Sequence, residues 1–179
     1  MKAKDILQFW FDELSSKQHF EKDEKRDALI GQRFKEIHQA ATHGELLAWR
    51  DTPDGRLAEI IVLDQFSRNL YRDQPEAFAC DGIALVLAQE AVRTGDDQSL
   101  PIARRAFIYM PYMHSESRRI HEIAVQLFSQ PGMEFNLKYE LKHKAIIDRF
   151  GRYPHRNAAL GRVSTTAETE FLSQPGAGF

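Results

Sequence analysis

The sequence predicts an all-α protein of about eight helices. Three observations carry this. Apolar residues recur at helical spacing in one segment after another. No stretch alternates apolar and polar residues at strand period for long. Short turn signals, Pro53-Asp54-Gly55 and Pro131-Gly132 among them, separate the segments. Consecutive helices with such short links pack as antiparallel pairs, so a repeat-like stack is expected, although no strict 34-residue repeat is present. A chain of 179 residues without a linker or low-complexity tract reads as a single domain, 1–179.

The elements follow in order. Residues 3–14 are apolar nearly all round, with Ile6, Leu7, Phe9, Trp10, Phe11 and Leu14, which predicts a buried helix with Trp10 as a core anchor. Residues 15–22 read as loop. Asp23 can cap a helix running to Thr42, with Phe34, Ile37 and Ala41 on one stripe and Gly44 after its end. His38 and His43 read as surface residues. A short helical turn over 45–49 precedes the 53–55 turn, and Asp54 is the expected cap of a central helix over 55–70. Pro75 is expected to open a helix to Arg93 that stops at Gly95, with Gly82 marking a close approach or a small break. Pro101 opens a helix to Tyr109, which Pro111 should end. Ser115 is the expected cap of a helix over 116–129. Residues 134–150 form the last long helix, closed by Gly151. Thr165-Thr-Ala-Glu168 is a capping box that starts a short helix. The tail 175–179 reads as loose.

Composition excludes several classes. A net charge of −2 argues against a nucleic-acid binder. No apolar run approaches the ~20 residues of a membrane span. The acidic residues Asp5 and Asp12 argue against a signal peptide. One cysteine, Cys80, leaves no internal disulfide and points to a reducing compartment, the cytoplasm; its apolar surroundings read as burial. Charge is unevenly distributed. Residues 1–100 hold 13 Lys and Arg against 19 Asp and Glu, whereas residues 101–162 hold 11 against 5 and four histidines besides. This asymmetry fits either an internal electrostatic match or a basic site for an anionic ligand.

Two segments carry the site chemistry and are expected to form the walls of one polar site. In Asp64-Gln65-Phe66-Ser67-Arg68-Asn69, residues 64 and 68 are four apart, as are 65 and 69, so each pair can share a helix face. This helix is too apolar to lie on the surface, and a buried guanidinium needs a carboxylate or a bound anion. In the late segment, Arg149, Arg152, Arg156 and Arg162 fall close together with His155 and Asn157 among them and no Lys. Arginine forks hold carboxylate or phosphate by two points. His114 and Glu116 can form an acid–base pair. His114 and His121 are seven apart, but His114 precedes its helix. Glu140-Leu-Lys-His143 matches one Glu-x-x-His unit of di-iron bundles, yet no second unit exists, so no metal or cofactor is expected. There is no Gly-x-Ser-x-Gly elbow or phosphate-cradling loop.

Read together, Phe9-Trp10-Phe11, Leu63-Asp-Gln-Phe-Ser-Arg-Asn-Leu-Tyr71, His114-Ser-Glu116 and Phe150-Gly-Arg-Tyr-Pro-His-Arg-Asn157 resemble the bacterial domain-of-unknown-function 924 family over about residues 5–172. That family often has Pro where this chain has Ser67. The resemblance implies a fold similar to tetratricopeptide-repeat proteins and brings no activity. The expected ligand residues are therefore Asp64, Gln65, Arg68, Asn69, His114, Glu116, Arg152, His155, Arg156 and Asn157. The leading expectation is binding of a small carboxylate or phosphate. The alternatives are a hydrolase or lyase using His with Asp or Glu, and a peptide-binding helical scaffold.

Overall fold

Pro53 opens the helical run on which the first half of the chain is built. The computed structural model describes residues 1–176, all-α, with no strand among them. Two units are distinguished, one from Met1–Arg72 with Glu76–Pro111, the other from Asp73–Pro75 with Tyr112 onwards.

In the first unit, α1 (Ala3–Gln8) continues into a π-helical turn, Phe9–Glu13. Asp23 caps α2 (Glu24–Thr42) by accepting from the amides of Lys25 and Arg26. The central run is α3 (Pro53–Ile60), a π-helical turn (Ile61–Phe66) and α4 (Ser67–Leu70), joined without interruption. Its cap is Thr52, not Asp54: the Thr52 hydroxyl accepts from the Gly55 amide at 3.1 Å, and Pro53 fills the first position, where no amide is needed. The run is buried through Leu57, Ile60, Ile61, Val62, Leu63 and Phe66, as its apolar content requires. Phe66 stacks on Phe34 at 5.0 Å, and Phe9 lies 4.8 Å from Phe34, so the Phe9–Glu13 turn, α2 and the central run meet on one aromatic cluster. Trp10 is fully enclosed there. The next helix, α5 (Asp81–Thr94), starts later than Pro75 suggests; Pro75–Ala77 forms only a 3-10 turn. Asp81 takes the first turn, where the helix dipole favours a carboxylate.

Helix α6 (Ile102–Met113) runs through Pro111. Pro111 has no amide to donate to the Phe107 carbonyl four residues back, and the helix ends two residues later, at Met113. In the second unit, α7 (Arg118–Phe128) begins two residues later than expected, with Ser117 rather than Ser115 before it; the Ser115 hydroxyl accepts from the Ser117 amide instead. α7 packs against α8 (Glu134–Phe150), which ends at Gly151 in the left-handed conformation, φ 71°. Ile146, Ile147 and Tyr153 form a buried cluster with Phe150 and Phe171 against it. α9 (Thr166–Leu172) carries the expected capping box: the Glu168 amide donates to Thr165 Oγ1, and Glu168 Oε2 accepts from the Thr165 amide.

Candidate functional site

In the first unit, the π-helical turn displays Asp64 and Gln65 from the buried central run. Such turns widen the helix and recur at functional positions. Asp64 is fully enclosed and receives Gln65 Nε2 at 2.5 Å. Arg68 Nη1 reaches Asp64 Oδ1 at 3.2 Å, as the four-residue spacing predicts, and its Nη2 lies 3.0 Å from Asp81 Oδ1. Two carboxylates thus face one guanidinium, and Asp81 was not visible from local spacing. Asn69 does not turn toward Gln65: its amide donates to Asp27 Oδ1, while Arg72 takes Asp27 Oδ2.

His38, read as a surface residue, is buried, with Nε2 2.8 Å from Ser67 Oγ. It falls on the Ile30-Phe34-Ala41 stripe of α2, so its spacing already favoured burial. The Ser67 hydroxyl donates to the Leu63 carbonyl at 2.6 Å, so its oxygen accepts from His38 Nε2 at 2.8 Å. Ser67 is therefore not primed as a nucleophile. Burial pushes the Cys80 thiol up and the His38 imidazole down.

The second unit gathers its polar residues around Tyr153. The Tyr153 amide donates to Glu116 Oε1 at 2.7 Å. Arg162 forks onto both Glu116 oxygens at 2.7 and 2.9 Å and donates to Asn157 Oδ1. The net effect holds the Glu116 carboxyl below its usual range: burial opposes ionisation, but the Arg162 and Tyr153 hydrogen bonds and the charges of Arg162 and Arg156 outweigh it. Arg152 is forked in turn onto Glu168 at 2.6 and 2.8 Å. Asn157 is enclosed and donates to Ser164. Arg156 is 6% exposed, lies 4.6 Å over the Tyr153 ring and donates to the His114 carbonyl at 2.9 Å. His155 lies beside the same ring at 5.4 Å.

Two helices supply what the sequence reading left aside. His121 on α7 and Glu140 on α8 are both fully enclosed, with His121 Nδ1 at 2.7 Å from Glu140 Oε1. His121 Nε2 faces two oxygens, the Ser115 carbonyl at 2.8 Å and the Tyr153 hydroxyl at 3.1 Å. The Tyr153 hydroxyl donates to the Met113 carbonyl, so Nε2 must carry a hydrogen. One further proton is shared between Nδ1 and Glu140, whose carboxyl is pushed up by burial. His143, one turn along α8, donates through Nδ1 to the Tyr139 carbonyl and is held neutral down to about 3 by burial, with the charges of His114, His121 and His155 acting in the same sense. Glu140 and His143 thus serve this network, and among the described residues no three His, Cys, Asp or Glu side chains converge as a metal set.

The profile of the bacterial protein family of unknown function DUF924 matches residues 6–176. The chain belongs to the DUF924 family. A solved structure titled as a protein of unknown function, ATU0120 from Agrobacterium tumefaciens, is 36% identical, with a TM-score of 0.91 over 96% of each chain. No curated protein matches the chain. Among the described residues, no helix is long and apolar enough to cross a membrane. The DUF924 assignment thus supports the all-α fold and leaves the chemistry to be argued from the side chains.

Proposed function

We propose that the second unit binds a small oxyanion, a carboxylate or a phosphate, at Arg156, with His114 and His155 beside it. The observation that carries this reading is the fixed orientation of a nearly buried guanidinium. Arg156 lies on the Tyr153 ring and is aligned by the His114 carbonyl. An arginine already immobilised loses little further side-chain entropy when a ligand arrives. Arg152 and Arg162 are forked onto Glu168 and Glu116, so they shape the surroundings rather than grip. The excess of Lys and Arg over Asp and Glu across residues 101–162 favours the same ligand charge.

Thermal shift and titration calorimetry against phosphate, sulfate, citrate and short carboxylic acids test the reading. A saturating ligand at one hundred times its Kd should stabilise by about 2.7 kcal/mol. The shift should vanish in Arg156→Met and survive in Arg119→Met, a change at an exposed position. A shift of the same size in both variants, or in neither variant nor the parent, overturns it.

A further inference from the structure

We propose that Glu140 is a positioning residue for Arg156, acting through His121 and Tyr153; this rests on the anion reading above. The end of α6 presents three consecutive carbonyls, and each is met by a side chain. Met113 O receives the Tyr153 hydroxyl at 2.5 Å, His114 O receives Arg156 Nη2 at 2.9 Å, and Ser115 O receives His121 Nε2 at 2.8 Å. Carbonyls at a helix C-terminus lack helical amides, so such donors decide the path of the backbone there. The middle carbonyl is the one that aligns Arg156. Its neighbours on both sides are fixed by His121 or by the tyrosine that His121 touches at 3.1 Å. The same tyrosine supplies the ring under the Arg156 guanidinium at 4.6 Å.

One imidazole therefore governs both supports of Arg156, and Glu140 governs the imidazole. With Nε2 carrying a hydrogen, Glu140 fills the hydrogen bond on Nδ1 and holds the ring plane. An apolar residue at 140 would leave Nδ1 buried with no partner and release the ring, the tyrosine and the Ser115 carbonyl together. Glutamine can donate to Nδ1 and preserve that geometry. The site thus depends on a hydrogen bond at position 140, made on α8, whereas its gripping residue lies in the 153–157 turn.

The test compares Glu140→Leu, Glu140→Gln and the parent by two readouts. The first is the Arg156 Nε–Hε signal in nitrogen-15 NMR without any added anion. The second is phosphate affinity by calorimetry on protein shown to be folded. Glu140→Leu should move the Arg156 signal and weaken phosphate about tenfold, while Glu140→Gln should keep both near the parent values. If Glu140→Leu fails to fold, Tyr153→Phe removes only the hydroxyl and should also move the signal. A Glu140→Leu or Tyr153→Phe protein whose Arg156 signal stays in place overturns the positioning role. A parent that binds no phosphate, with the Arg156 signal moving as described, upholds the positioning role and overturns the anion reading instead.

Discussion

His121 Nδ1 lies 2.7 Å from Glu140 Oε1, and neither residue has exposed surface. The pair joins α7 to α8 in the absence of solvent. Removing one member leaves a polar group buried without its partner, at a cost of roughly 3–5 kcal/mol if that group is charged. Glu140→Ala should therefore lower the urea midpoint sharply. A double-mutant cycle with His121→Ala should return a coupling above about 1 kcal/mol. Additive losses would show that the contact is incidental.

Acid should destabilise the fold through its buried imidazoles. Burial depresses His38 and His19 as well as His143, which is held to about 3. The unfolded chain takes up protons near 6.5, while folded His143 resists until about 3. The His143 contribution is thus fully present above pH 6.5 and falls as pH drops toward 3, by about 1.4 kcal/mol per pH unit, with His38 and His19 acting in the same direction. His143→Phe should reduce that slope by one proton. Chemical denaturation at a series of pH values measures it.

A second acid window belongs to Glu168. Hydrogen bonds from Arg152 and from the Thr165 amide hold its carboxyl at about 2, below the ordinary 4.5. Its contribution is present above pH 4.5 and is lost as pH falls through about 2, since the unfolded chain is protonated first. Carboxyl carbon NMR should find Glu168 titrating well below the exposed acids, and Arg152→Met should raise it.

Two glycines should respond oppositely to alanine. A Cβ on Gly55 would lie 1.9 Å from the Trp49 carbonyl oxygen, against backbone that cannot step aside. Gly55→Ala should cost more than about 2 kcal/mol. A Cβ on Gly82, in the first turn of α5, meets nothing within 4 Å. Gly82→Ala should stabilise by a few tenths to about 1 kcal/mol. Thermal unfolding of the two variants separates them in sign.

Local chemistry was legible in the sequence and distant pairing was not. The Asp23 cap, the Gly151 stop and the Thr165-Glu168 box depend on residues within four positions, and each is formed. The 64–68 pair is formed for the same reason. Pro111 misled because a proline is judged by its place within a helix, and that place depends on where the helix ends. Asp81, thirteen positions beyond Arg68, shares no helix face with it. His121 and Glu140 are nineteen residues apart on separate helices, so no spacing rule joins them. The Glu140-x-x-His143 spacing was visible, but it could not show that Glu140 pairs with His121 on α7.

The most direct measurement is a phosphate titration of arginine-labelled protein followed at the Arg156 side chain by nitrogen-15 NMR. The Arg156 signal should shift and saturate while those of Arg152 and Arg162, held by Glu168 and Glu116, stay at their starting positions. An unmoved Arg156 signal under saturating phosphate and carboxylates, or equal movement of all three arginines, would contradict the anion reading.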